Sequence, residues 1–198
     1  MHKAIAVVRD EHRSIAAVLH GLKHLASLAS GTSVRPDFAV FRAMLYYIDA
    51  FPETQHHPKE DAFLFASLER RRPETAELVS ALRREHVQGA ELVRDLEQAL
   101  LRFETLWPEG AAAFATAVDA YAEFHWRHMR REEQELLPLA ERYLTEADWV
   151  EVDTAFAANT DPLSGGAAED GEFSRLFTRI VNLAPAPVGL GRPWTGTA

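Results

Sequence analysis

Residues 124–138 read FHWRHMRREEQELLP, and they place a histidine and a carboxylate on a helix face that should be apolar. Apolar residues recur at helical spacing from Phe114 to Tyr143, and the same stripe passes through His128 and Glu132. Residues four apart on a helix lie one above the other, so these two side chains point the same way. Such a pair could bind one metal ion or bridge two.

A second copy of this pair lies in the stretch HHPKEDAFLF, which begins at His56. Its histidine and Glu60 repeat the spacing, and an acidic residue follows the glutamate in both copies, as Asp61 and Glu133. Two matched copies are hard to attribute to surface composition, so we interpret both as parts of one metal site. Glu133 is rotated by ~100° from the glutamate before it, and we expect it to contribute little.

The composition excludes several classes of protein. With 198 residues and 47% hydrophobic content, the chain is long enough for one domain with a real core. Its formal charge of -9 argues against nucleic acid and against an anionic membrane, because both are bound by concentrated lysine and arginine. Cysteine is absent, so any metal must be held by nitrogen and oxygen. The sequence shows no signal-peptide pattern and no run of ~20 apolar residues, and we expect a cytoplasmic protein.

The apolar pattern predicts four long helices followed by shorter ones. The predicted ranges are 2–29, 36–72, 73–104 and 111–144. Pro52 and Pro58 must kink or interrupt the second helix close to the first His-Glu pair. Thr145 and Asp148 resemble a capping box that begins a fifth helix ending near residue 158.

Four long helices with short links imply an all-α fold, an up-down antiparallel four-helix bundle with short additional C-terminal helices. We expect residues 1–145 to form a metal-binding bundle and residues 146–198 to form a C-terminal helical extension with a Pro/Gly-rich tail. Within this extension, 159–171 is predicted to be a loop, and 173–183 an amphipathic helix that packs on the bundle.

Two more histidines occupy core positions, His12 in the first helix and His86 in the third. In an up-down bundle, ligands meet only if they lie equally far from the loop that two helices share. Counted from the loops, these histidines and those of the two pairs fall at one depth to within roughly 6 Å. The sequence therefore predicts one set of metal ligands, which is His12, His56, Glu60, His86, His128 and Glu132.

Imidazoles and carboxylates buried together need a cation, because unpaired buried carboxylates cost several kcal/mol each. The number of ligands favours two metal ions, each held by two histidines and sharing both glutamates as bridges. Iron, zinc and manganese all accept such ligands, and affinity alone does not choose among them.

The whole pattern resembles the hemerythrin-like, or HHE cation-binding, domain over about residues 5–145. The resemblance rests on the order and spacing of the predicted ligands, on HHPKED in the second helix and on EEQELLP in the fourth. It implies a hemerythrin-like four-helix bundle with a non-haem di-iron centre of two iron ions. It also implies family roles that include binding and sensing of oxygen, nitric oxide or iron.

The third helix departs from the oxygen-carrying members of that family. Those carry a second histidine four residues after the first, whereas Ala90 stands at that distance from His86. If nothing replaces the missing ligand, each iron keeps about one open position, which suits reaction with peroxide, oxygen or nitric oxide better than reversible carriage. His57 and His125 are further candidates for ligation, since the first adjoins one pair and the second lies on the stripe of the other.

Three functions stay open. The leading hypothesis is a protein that binds or senses a small diatomic ligand or peroxide at a di-iron centre. The same site suits a di-iron enzyme of peroxide turnover, iron oxidation or repair of iron centres, and the sequence does not decide whether the chain is an enzyme. The third function is a structural bundle that binds zinc. The oligomeric state also stays open, with a homodimer as one option.

Overall fold

Almost the whole of the described chain is helical. The computed structural model describes residues 2–159 and 172–194, and these residues contain no β-strand. The first of four long helices is α1 (Lys3–Ser30). The second long helix covers residues 38–71, and its parts are α2 (Phe38–Ile48), a π-helical stretch (Asp49–His56), α3 (His57–Lys59), a further π-helical stretch (Glu60–Phe65) and α4 (Ala66–Arg71).

The third long helix follows a short 3-10 turn (Pro73–Thr75) and is α5 (Ala76–Thr105). The fourth long helix covers residues 111–143, and its parts are α6 (Ala111–Arg131), a π-helical stretch (Glu132–Leu136) and α7 (Leu137–Tyr143). Two shorter helices come last, α8 (Glu146–Ala157) and α9 (Glu172–Leu183). The predicted ranges differ from these by a few residues at the ends.

The prolines of the second long helix do not interrupt it. Pro52 lies inside the first π-helical stretch, and Pro58 lies in the first turn of α3. A proline removes one backbone donor, and the wider π-helical turn allows the neighbouring groups to bond one residue further along. Of the two predicted outcomes, a kink or an interruption, the interruption is absent, since the helix continues through both prolines with a changed hydrogen-bond pattern.

Two apolar clusters fill the interior, and each long helix contributes to both. The larger cluster surrounds Phe41, Phe103 and Phe114, and the smaller one surrounds Phe65 and Leu137. Both α1 and α5 pack against α6, and α2 packs against α5. The stretch of each long helix between the two clusters carries buried polar residues, and these form a layer across the bundle.

The C-terminal extension packs on the long helices. Thr145 and Asp148 form the predicted capping box, because each side chain accepts a hydrogen bond from the other residue's backbone N–H. From this cap, α8 runs along α1, while α9 contacts α2. The predicted loop over 159–171 lies outside the described residues from position 160 onward, as does the end of the tail from position 195. No helix in the described part of the chain is long and apolar enough to cross a membrane.

Candidate metal centre

The six predicted ligands lie together in the polar layer, and all of them are buried. Glu132 stands at its centre, with Oε2 3.3 Å from Nε2 of His12 and Oε1 3.3 Å from Nε2 of His128. The same Oε1 lies 3.5 Å from Nε2 of His86. Glu60 makes matching approaches, since its Oε2 lies 3.4 Å from His56 Nε2 and 3.5 Å from His86 Nε2. The two carboxylates therefore connect histidines from different helices.

The ligand atoms fall into two groups that share Glu60. In each group the atoms lie within 4.8 Å of one another. We call the group of His12, His56, Glu60 and Glu132 the first position. The group of His57, Glu60, His86 and His128 is the second position. Glu132 also reaches the second position through its Oε1, so both glutamates are placed to bridge.

Most of the inward-facing polar atoms have no hydrogen-bond partner. Within the described residues, this holds for both oxygens of Glu60 and of Glu132, and for the Nε2 atoms of His12, His56, His86 and His128. A buried polar atom without a partner costs about 1–3 kcal/mol, and a metal ion, or in its absence protons on the histidines, must offset this cost. Nitrogen and oxygen donors of this kind fit iron, zinc or manganese.

Each of these four histidines donates its other ring N–H to a carboxylate from a different long helix. The Nδ1 to carboxylate oxygen distances are 2.7 Å for His56 and Glu11, 3.1 Å for His86 and Asp61, 2.9 Å for His128 and Glu85, and 2.9 Å for His12 and Glu133. Such contacts fix the tautomer, turn Nε2 toward the metal and raise the basicity of the ligand.

These supporting carboxylates form a closed ring around the bundle. The carboxylate of the first long helix binds the histidine of the second, the second binds the third, the third binds the fourth and the fourth binds the first. In every case the carboxylate is the direct sequence neighbour of a predicted ligand. We call this arrangement the carboxylate ring.

Glu11 and Glu85 are supporting residues that the sequence did not predict, and the small contribution expected of Glu133 stays a prediction. Rotation by ~100° from Glu132 turns Glu133 toward α1, where it meets His12, rather than fully into solvent. A repeated pattern in the sequence could have indicated these supporting carboxylates. Glu-His pairs occur in the first and third helices, and a glutamate followed by an acidic residue occurs in the second and fourth.

His57 lies at the second position, where the sequence left an open coordination position. Its ring stacks on that of His86, with 4.3 Å between centroids and 14° between planes. Burial and the nearby histidines lower the pKa of His57 well below its usual value, so its imidazole is neutral, as a ligand must be. As a third histidine at this position, His57 would be placed to fill the vacancy predicted beside Ala90.

His125 belongs to neither group and packs beside the second position. Its Nε2 lies 3.7 Å from Oε1 of Glu53, to which the Tyr121 hydroxyl donates a 3.4 Å hydrogen bond. Burial, together with the charge of His128, lowers the pKa of His125 to about 3. A Cβ added at Gly89 would stand only 3.3 Å from His125 Nε2 and from the glutamate oxygen, so the small residue gives this cluster its space.

A groove of about 580 Å³ runs between α1 and the fourth long helix. Its lining includes His12 and Glu133 together with the side chains of Arg13, Trp126 and Arg130. The groove borders the side of the layer where the first position lies.

Without a bound metal ion, three of the predicted ligands have pKa values raised above neutral pH. Burial alone would lower the pKa of His12, but contacts with Glu132 and Glu133 raise it to about 10. The same competition between burial and carboxylate contacts raises the pKa of His86 to about 12 and that of His128 to about 9. An incoming metal ion competes with these protons.

We expect metal binding to chelated protein to release protons, and the affinity to rise with pH. These histidines are protonated below their pKa values, so at pH 7 about three protons leave when both positions fill. A pH indicator in weakly buffered solution measures the release during a metal titration. Binding without proton release, with an affinity independent of pH between 6 and 8, would contradict this expectation.

Buried histidines and carboxylates with unpartnered atoms define a metal-binding helical protein. The chain belongs to the hemerythrin family, because the family model described as hemerythrin HHE cation binding domain matches residues 3–140. This match confirms the resemblance that the sequence predicted. No curated protein sequence matches the chain. The exact ligand set stays a prediction, as do the identity and number of the metal ions.

Proposed function

We propose that this chain holds a non-haem di-iron centre and binds or senses a small diatomic ligand, oxygen or nitric oxide, or a peroxide. The observation that carries the proposal is the pair of ligand groups with shared glutamates. Two ions that share both carboxylates would satisfy the unpartnered oxygens of Glu60 and Glu132 together.

We further propose that residues 1–145 form an up-down antiparallel bundle and that residues 146–198 are its extension. The order of the two apolar clusters along the chain supports this topology. Both α1 and α5 begin in the smaller cluster and end in the larger one, whereas the second and fourth long helices run from the larger to the smaller. The family match ends at residue 140, close to the proposed boundary.

The two metal positions are unequal in this proposal. His57, His86 and His128 surround the second position, whereas His12 and His56 are the histidines of the first. His57, His86 and His128 would leave an ion at the second position less room for a further ligand than His12 and His56 would leave at the first, so the first position would be the one open to a diatomic molecule. The groove beside His12 supports this assignment. One saturated and one open ion also suit reversible binding, which the sequence alone had disfavoured.

Iron, when bound, supplies the change of oxidation state on which reaction with oxygen, nitric oxide or peroxide depends. The chain itself supplies position and environment. The carboxylate ring holds the imidazoles with Nε2 turned inward, and the two apolar clusters limit the access of bulk water to the layer.

Nitric oxide titration of the diferrous protein tests the proposal. We expect about one nitric oxide per iron pair in the unmodified protein, and about two after His57→Ala, because this change opens the second position. His24→Ala is the matched control, since His24 is exposed and lies outside both groups.

Electron paramagnetic resonance and the visible spectrum report the stoichiometry of nitric oxide binding. A colourless protein that retains zinc after expression in iron-rich medium would exclude the di-iron proposal. Equal binding of two nitric oxide molecules to the unmodified protein would show instead that His57 does not ligate.

A further inference from the structure

A residue beyond the family match reaches the candidate centre. Asn159 follows α8, and its Nδ2 donates a 2.8 Å hydrogen bond to Oε1 of Glu11. The other oxygen of this glutamate, Oε2, accepts the 2.7 Å hydrogen bond from Nδ1 of His56. Lys59 donates from Nζ to Oδ1 of the same asparagine. The chain of contacts therefore runs from Lys59 through Asn159 and Glu11 to His56.

A neutral amide supports Glu11, whereas a cation supports the corresponding glutamate of the third helix, Glu85. Glu11 is only 2% exposed, so water has little access to its carboxylate. In Glu85, the oxygen that does not face His128 accepts instead from the guanidinium of Arg131 at 2.9 Å. A guanidinium contacts Glu85 directly, whereas Glu11 accepts from a neutral amide, and Lys59 binds the oxygen of that same amide.

The rest of α8 holds Asn159 in position. Asp153 accepts a 2.7 Å hydrogen bond from the backbone N–H of Ala4, which ties α8 to the start of α1. The ring of Phe156 meets that of His56 edge-on, with 6.4 Å between centroids. The end of α8 is thus docked against the same histidine that the asparagine supports through Glu11.

We propose that Asn159 is a positioning residue for the metal ion at the first position, acting through Glu11 on His56. The inference rests on the proposed two-metal centre, and it means that the proposed C-terminal extension helps to position one of the ligands. Without the amide, Oε1 of Glu11 lacks its donor, and the carboxylate turns toward Lys59 and away from His56. His56 then loses the contact that fixes its tautomer and the direction of its Nε2.

Cobalt(II) titration of the chelated full-length chain tests this role. Asn159→Leu keeps the branching and the number of side-chain heavy atoms and removes both hydrogen bonds. We expect one of the two cobalt(II) ions to bind roughly 10-fold to 100-fold more weakly, with a changed visible spectrum, and the other ion to bind as before. Asn159→Gln retains the amide, and we expect it to restore most of the affinity.

Asp153→Ala is the matched control, because it removes a different contact between α8 and α1 and leaves Glu11 untouched. We expect this variant to have a lower melting temperature, with no selective loss of affinity for one of the two cobalt(II) ions. Unchanged cobalt(II) binding in Asn159→Leu would overturn the inference, as would an equal loss of affinity in Asp153→Ala. Cobalt(II) binding requires neither iron nor nitric oxide, so failure of the proposed gas binding would not affect this comparison. An unmodified chain that binds no cobalt(II) would overturn both proposals.

Discussion

Glu132→Ala is expected to remove most of the bound metal, with a loss of affinity above the roughly 10-fold to 100-fold that outer contacts contribute. Its carboxylate approaches His12, His86 and His128 at 3.3–3.5 Å, and it is one of the two predicted bridges. Metal analysis of the purified variant measures the effect.

Glu135→Ala is the matched control, because this exposed glutamate lies three residues further along and pairs with Arg131 rather than with a histidine. The control should keep its metal. The metal content of Glu133→Gln should lie between those of Glu132→Ala and Glu135→Ala, since this change weakens the support of His12 but removes no predicted ligand. Equal loss in Glu132→Ala and Glu135→Ala would mean that the inner face of the fourth helix is assigned wrongly.

Chelation should lower the thermal stability of the folded chain by a large amount. An ion that binds only the folded state stabilises it by about 2.7 kcal/mol when its concentration is 100-fold above Kd. For a domain of this size, this corresponds to a fall of about 5–10 °C in Tm for each ion removed. Differential scanning calorimetry before and after chelation measures the change.

Readdition of the metal is the control for chelation, and it should restore the original Tm if the buried layer is the binding site. The chelated protein keeps some stability, because the charged histidines still pair with Glu132 and hold the pKa of this carboxyl well below its usual range despite burial. A chelated protein that melts unchanged and takes up no metal would show that the layer does not bind an ion.

Much of the helical pattern could be predicted from the sequence, because it follows from local spacing. The apolar stripes located the long helices, and the pair Thr145 and Asp148 located the start of α8. The π-helical stretches could not be predicted in this way. Glu60 and Glu132 each begin one of them, and this choice of hydrogen-bond pattern depends on how the layer packs rather than on the local sequence.

The candidate site, too, could be predicted only in part from the sequence. Histidines inside apolar stripes were visible as exceptions to a pattern, so the sequence predicted which residues meet. The surroundings of His57 and Glu11 depend on the rotation of one helix relative to the next, and a single helix does not reveal this rotation. The contact of Asn159 with Glu11, on which its proposed role rests, depends on α8 folding back along α1 and spans 148 residues of sequence.

The carboxylate ring has a consequence for protein engineering. A centre transplanted into another bundle as isolated ligands would leave every imidazole free to rotate or to take the other tautomer. Besides His56 and His128, the transferable unit includes a dipeptide on each long helix, and these are Glu11-His12, Glu60-Asp61, Glu85-His86 and Glu132-Glu133. In each dipeptide, one residue is a predicted ligand and the other contacts a histidine on another long helix. A recipient scaffold must therefore hold all four helices in matching rotation.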